Sequence, residues 1–177
     1  MMDELTPSQY VVLGLIARNG PMTPYELKTR VEQSIDNYWP IPHAQLYRDP
    51  PRLAELGLLT EHAEEHGRRR RVFHLTDAGR EALHRWLADP ATPPPETRNP
   101  SLLKLTFTDL ATPAEVAELA LTQAARHRKW ADDYRRRLAD LDPADPATPS
   151  RARLLDLGAR HEQNYVEFWE ALAAEYA

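Results

Sequence analysis

The sequence predicts a mainly α fold in two domains, with one two-stranded hairpin confined to the N-terminal half. Three observations carry that expectation. Proline outnumbers glycine by 16 to 6 and recurs behind threonine, at Thr6-Pro7, Thr23-Pro24, Thr112-Pro113 and Thr148-Pro149. The apolar residues recur at helical spacing through most of the chain and switch to strand-like runs only near residues 58–60 and 71–75. Residues 89–100, DPATPPPETRNP, fit neither period and read as a connector between a domain at 1–88 and another at 101–177.

A proline is comfortable at the first helical position, where its missing N–H had no intrahelical partner, and a threonine before it can cap the next free N–H groups. At three of the four Thr-Pro pairs a Gln or Glu stands at the third helical position, namely Gln9, Glu26 and Glu115, which is capping-box spacing. All four pairs are expected helix starts. The first helix runs from Pro7 to about Asn19, with Val11, Val12, Leu15 and Ile16 on one face, and stops at Gly20-Pro21. The second starts at Pro24, carries Tyr25, Leu27 and Val31, and breaks near Asp36-Asn37. A third spans about Pro42 to Leu56 and ends at Gly57, a natural C-terminal stop. Leu58–Thr60 and Arg71–Leu75 are then two short strands, with Gly67 and its polar neighbours as the turn between them. Thr76-Asp77 caps a further helix striped by Ala82, Leu83, Trp86 and Leu87.

Beyond the connector, Leu102, Leu103, Leu105 and Phe107 form an apolar knot on a short helix begun at Asn99-Pro100. A long helix follows from Pro113 to about Leu141, its face running through Val116, Ala120, Gln123, His127, Trp130, Tyr134 and Leu138. DPADPATP breaks it, and a last helix from Pro149 carries Leu154, Gly158, His161, Tyr165, Phe168 and Leu172 at spacings of three and four, widened by Trp169 and Tyr176.

Composition narrows the function classes. The chain of 177 residues has no cysteine, which removes disulfides, thiolate zinc sites and cysteine nucleophiles. No run approaches the roughly 20 apolar residues of a membrane span. The opening MMDELTPSQY carries acid where a signal peptide carries base, so a cytoplasmic protein without membrane attachment is expected. The net charge of −5 is spread evenly, with 11 basic against 13 acidic residues up to Pro90 and 11 against 14 after it. A role on nucleic acid would therefore depend on where the basic residues sit rather than on bulk charge. No glycine-rich phosphate loop or nucleophile motif is present, and the strands are too few for an α/β sheet, so no enzyme and no cofactor are expected. His62, Glu64, Glu65, His66 and His74 lack the helical His-x-x-x-His spacing of zinc enzymes, and no metal site is expected there.

Three helices, a two-stranded hairpin and a following helix describe a winged helix-turn-helix, in which the third helix enters the major groove of double-stranded DNA. The basic run Arg68, Arg69, Arg70 and Arg71 falls directly after Gly67, at the expected tip of the wing, where each guanidinium can fork to a phosphate. With Leu46 and Leu53 facing the core, Ala44, Arg48 and Pro51 point outward, and Gln45, Tyr47 and Arg52 flank them. Gln45 and Arg48 suit base edges, Gln for adenine and Arg for guanine. His43, Tyr47, Tyr25 and Lys28 suit phosphates, and Arg52 joins the set as a further candidate.

The blocks LGLIARNGPMTPYELK, HAQLYRDPPRLAELGLLTE and GRRRRVFHLTDAGREALHRWL resemble the PadR family of winged-helix transcriptional regulators in order and spacing. SLLKLTF and HEQNYVEFWEAL resemble its larger subfamily with long C-terminal helices. The resemblance implies a homodimer on a palindromic operator, usually a repressor and often released by a small molecule. The chain departs from the family at Thr23-Pro24-Tyr25, where His-Gly-Tyr is usual, and at Asp49-Pro50-Pro51, where a helix-forming pair with an apolar core residue is usual. A proline inside a helix costs roughly 3 kcal/mol and biases the residue before it away from helical geometry. The expectation is a kink or break near Asp49.

The last helix is expected to bury Leu154, Tyr165, Phe168, Trp169 and Leu172 against a second copy of the chain. A dimer supplies the symmetry that two DNA half-sites require. Trp39, Trp86, Trp130 and Trp169 suggest a site for a small aromatic or apolar effector. The alternative is a helical interaction module whose winged domain binds protein rather than DNA.

Overall fold

The computed structural model describes residues 5–35, 38–63 and 70–177. In chain order its elements are α1 (Pro7–Asn19), α2 (Pro24–Ser34), α3 (His43–Glu55), β1 (Leu59–Ala63), β2 (Arg71–Leu75), α4 (Asp77–Ala88), α5 (Pro100–Leu105), a 3-10 turn (Thr108–Leu110), α6 (Pro113–Ala139) and α7 (Thr148–Glu175). They form two compact units, Met1–Pro93 and Pro94–Ala177.

Thr6, Thr23 and Thr112 close capping boxes as expected. Each hydroxyl accepts the N–H of the third helical residue, and Gln9, Glu26 and Glu115 reach back to the cap N–H at 2.9, 2.8 and 2.8 Å. Each such cap contributes about 1 kcal/mol. The fourth Thr-Pro pair behaves differently. α7 begins at Thr148 itself behind Ala147, with no side-chain cap, and the Thr148 hydroxyl donates to the Asp142 carbonyl instead. Asp142 and Asp145 accept from the N–H groups of Ala144 and Ala147, so the aspartates shape this turn before the threonine can cap it.

In the first unit α1, α2 and α3 enclose a core of Val12, Leu13, Ile16, Leu27, Val31, Leu46, Leu53, Leu59 and Phe73. The break expected near Asp49 does not occur: α3 runs unbroken from His43 to Glu55 with Pro50 and Pro51 inside it. Pro50 is fully buried between Leu46 and Leu53 on the same face, each at 0% exposure. Burial of that face offsets the lost backbone donor, so tertiary packing overrides local propensity here. α3 ends as the glycine predicts. Gly57 takes φ 73°, its N–H donates to the Ala54 carbonyl, and the Leu58 N–H donates to the Leu53 carbonyl at 2.9 Å, which together make a Schellman motif.

β1 and β2 pair antiparallel, with Leu59 opposite Leu75 and Ala63 opposite Arg71. A contact without a sequence signal anchors the hairpin. Met22, just before α2, pairs with Phe73 of β2, N–H to carbonyl in both directions at 3.1 and 2.9 Å. The Thr76 hydroxyl donates to the Gly57 carbonyl at 2.8 Å and accepts from the Gly79 N–H, tying the start of α4 to the end of α3. Gly79 sits against backbone there, and a Cβ on it would lie 2.1 Å from the Leu58 carbonyl oxygen. Only half of the stripe expected on α4 is covered: Ala82 is buried and Leu83 partly so, but Trp86 and Leu87 are exposed, with Trp86 stacked on Tyr10 at 4.7 Å.

The second unit is a hairpin of α6 and α7. Arg128 pairs with Glu170, and Arg135 bonds Gln163, so the two helices run antiparallel. Ala120, Ala124, Trp169 and Ala173 form its core, with Leu102 and Leu105 of α5 packed on it. Among the described residues no helix is long and apolar enough to cross a membrane.

Candidate nucleic-acid interface

α2 and α3 hold most of the residues chosen for DNA on exposed edges. Tyr25 is 68% exposed at the start of α2, and Tyr47 is 49% exposed on α3. His43 and Arg48 are exposed, Gln45 is half-buried, and Ala44 points outward with them. Pro51 turns partly inward rather than out. Arg52 is exposed, but its guanidinium is held by Glu55 at 2.9 Å on the same helix. Burial of Leu46 and Leu53 puts Gln45, Arg48 and Arg52 on the solvent side by helical geometry alone.

Sequence reasoning missed an acidic residue inside this set. Glu32 of α2 lies 3.5 Å from the Lys28 ammonium and 3.4 Å from His43 Nε2 on α3. The Lys28 pairing has an i,i+4 signal, whereas the His43 pairing depends on how α2 and α3 cross.

On the wing, Arg68 and Arg69 lie outside the described residues, as do Glu64, Glu65, His66 and Gly67. Arg70 is exposed. Its charge acts on Glu26 at the start of α2, whose carboxyl is held below its ordinary value first by the Thr23 backbone N–H and hydroxyl, then by Arg70 and Arg30. Arg71 is committed within the hairpin. It donates twice to Glu61 across the strands, at 2.5 Å each, which lowers the Glu61 carboxyl's pKa. Of the four arginines read as phosphate partners, Arg71 is therefore the strand's own cross-link. His62 and His74 face each other across the same strands, ring edge to ring face at 4.6 Å.

The residues chosen for dimerisation divide between two faces of α7. Leu154 and Phe168 are exposed, at 39% and 45%. Tyr165 and Leu172 are partly buried, and Trp169 lies wholly inside the hairpin at 0% exposure. Of the other tryptophans, Trp39 and Trp86 in the first unit and Trp130 in the second are each about half exposed.

Against known proteins, residues 12–85 match the model of the transcriptional regulator PadR-like family, and residues 97–177 match that of the virulence activator alpha C-terminal region. The probable transcriptional regulator Rv1176c of Mycobacterium tuberculosis is 30% identical over 84% of this chain and 87% of its own. The negative transcriptional regulator PadR of Bacillus subtilis is 25% identical over 94% and 95%. The crystal structure of that PadR with operator DNA superposes with a TM-score of 0.85 at 23% identity, covering 97% of this chain and all of the other. Its complex with p-coumaric acid superposes at 0.79, covering 95% and 97%.

Proposed function

The chain belongs to the PadR-like family of transcriptional regulators, and from that premise we propose that it is a sequence-specific DNA-binding repressor, acting as a homodimer on a palindromic operator. One observation carries the reading furthest: Tyr47 and Arg48 are exposed on α3 with Gln45 half-buried on its other flank, and the arginine-bearing hairpin is next in chain order after that helix. Gln45 and Arg48 read base edges, while Tyr25, Lys28, His43 and Tyr47 hold phosphates. Arg68, Arg69 and Arg70 supply the wing's charge, with Arg52 the weakest member because Glu55 already holds it. Residues 1–88 form the reading head, 89–100 the connector and 101–177 the dimerisation domain. The protein works in the cytoplasm, without cofactor, metal or catalytic step.

The repressor is released by a small aromatic or apolar molecule. The support is a relative of nearly the same length, Bacillus subtilis PadR, which has been crystallised in complex with operator DNA and in complex with p-coumaric acid. An effector acts by favouring a dimer in which the two heads are spaced wrongly for the two half-sites. The test is a titration of labelled DNA from upstream of the chain's own gene against scrambled DNA, at several salt concentrations. The regulator reading expects preferential binding, two chains per site and a steep loss with salt. Arg48→Ala should cost about 1–3 kcal/mol on the preferred site and little on scrambled DNA. Absence of binding to either DNA at low salt would instead favour a winged domain that binds protein.

A further inference from the structure

We propose that Lys28 and His43 form one site for a single DNA phosphate, and that the Glu32 carboxylate fills that site in the free chain and competes with the phosphate for it. This rests on the DNA-binding reading above and adds to it a shared site, a competitor and a limit on affinity.

Lys28 and Glu32 stand one turn apart on α2, and His43 is the exposed first residue of α3. Each helix brings one nitrogen to the same oxygen: Glu32 Oε1 lies 3.5 Å from Lys28 Nζ and 3.4 Å from His43 Nε2. Donors from two elements that converge on one oxygen make a place for an anion, which an i,i+4 pair on a single helix does not. The start of α3 adds to it. Its cap residue, Pro42, makes no side-chain hydrogen bond to the first turn, so the positive end of the helix stands beside His43. The spacing suits a phosphate. The two nitrogens lie within about 7 Å of each other, the most that their distances to Oε1 allow, and hydrogen bonds of about 2.9 Å from each to the oxygens of one phosphate reach across that gap.

The carboxylate is placed to be displaced. Both of its distances exceed the roughly 2.7–3.2 Å of a formed N–H···O bond. By contrast, Glu55 holds Arg52 at 2.9 Å and Glu61 holds Arg71 at 2.5 Å. Glu32 is held by charge alone, its side chain is 44% exposed, and exposed pairs of this kind are weak. Rotation of that side chain opens the site, and the freed carboxylate, now beside DNA, takes up a cation from solution. The cost falls on every duplex alike, since a phosphate contact carries no sequence information. Glu32 therefore limits how tightly the chain holds DNA in general and leaves the choice of base to Gln45 and Arg48.

The test uses the full-length chain with labelled duplexes of the preferred and scrambled sequences over a salt series. Glu32→Gln keeps the size and removes the charge, and should tighten binding to both duplexes about three- to tenfold per chain at low salt. The slope of log affinity against log salt should steepen by up to about 0.9 per chain, because no cation is taken up when the phosphate docks. In a chain that also carries Lys28→Ala and His43→Ala, the same change should gain less than about twofold, as expected when the effect passes through those two side chains. Glu81→Gln removes an equal charge from α4 and should leave affinity within about twofold. Circular dichroism melts establish that each variant is folded. Weaker or unchanged binding by Glu32→Gln would overturn the competitor. A full gain that persists without Lys28 and His43 would overturn the site and make Glu32 a general charge. Failure of the unmodified chain to bind either duplex at low salt would remove the regulator reading and this site with it.

Discussion

Asp49 is buried at 4% exposure, and its Oδ2 has no hydrogen-bond partner. A buried polar group without a partner costs about 1–3 kcal/mol, because it loses water and gains nothing in return. Asp49→Ala should therefore raise stability by that order, read as a higher denaturant midpoint at unchanged slope. Other carboxylates work in the opposite sense. Glu26, Glu61 and Glu115 all sit below their ordinary value of 4.5, Glu26 and Glu115 through the backbone N–H and hydroxyl of Thr23 and Thr112, and Glu61 through the Arg71 guanidinium. A carboxyl depressed in the folded state contributes stability above its unfolded value and loses it as pH falls through the folded one. Unfolding free energy should hold steady above pH 5 and decline below about 4.5, and the decline should be shallower in Glu26→Gln, by urea titration at each pH.

At the scale of elements, the start of α4 packs directly on the backbone beside the hairpin at Leu58. A Cβ at Gly79 would meet the Leu58 carbonyl at 2.1 Å and Leu75 Cδ1 at 2.9 Å, so backbone would have to move. Gly79→Ala should cost about 1–3 kcal/mol, as overpacking does, with a matching loss of thermal midpoint. The starts of α1, α2 and α6 were legible in the sequence because Thr, Pro and Gln or Glu carry their chemistry locally. The Met22–Phe73 bridge was not, since a single paired residue has no period. The continuity of α3 was hidden for a related reason: propensity counts Pro50 and Pro51 as breakers, whereas the burial of Leu46, Pro50 and Leu53 on one face is set by residues distant in sequence. On α7 the expected stripe mixed the exposed Leu154, His161 and Phe168 with the half-buried Gly158, Tyr165 and Leu172, because apolar residues cover too much of that helix for spacing to say which side α6 takes.

For the whole molecule, the order of elements, the hairpin's place in it and the long C-terminal helices were readable from sequence. The Glu32 carboxylate between Lys28 and His43 was not, because it depends on how α2 crosses α3. On the proposed reading, in which an acidic chain holds DNA through a few clustered arginines, the charge should show in the salt dependence. Each phosphate contact contributes about 0.9 to the slope of log affinity against log salt, so Arg69→Ala with Arg70→Ala should reduce that slope by nearly two. Affinity should fall alike on operator and scrambled DNA, since phosphate contacts carry no sequence information. The most direct test of the regulator account is selection by the purified full-length chain from a random duplex DNA library. The account predicts enrichment of an inverted repeat whose half-sites lie about one helical turn or a multiple apart, and loss of that enrichment in a Gln45→Ala, Arg48→Ala double variant that remains folded. A library that returns unenriched, or enriched equally by that variant, would contradict it.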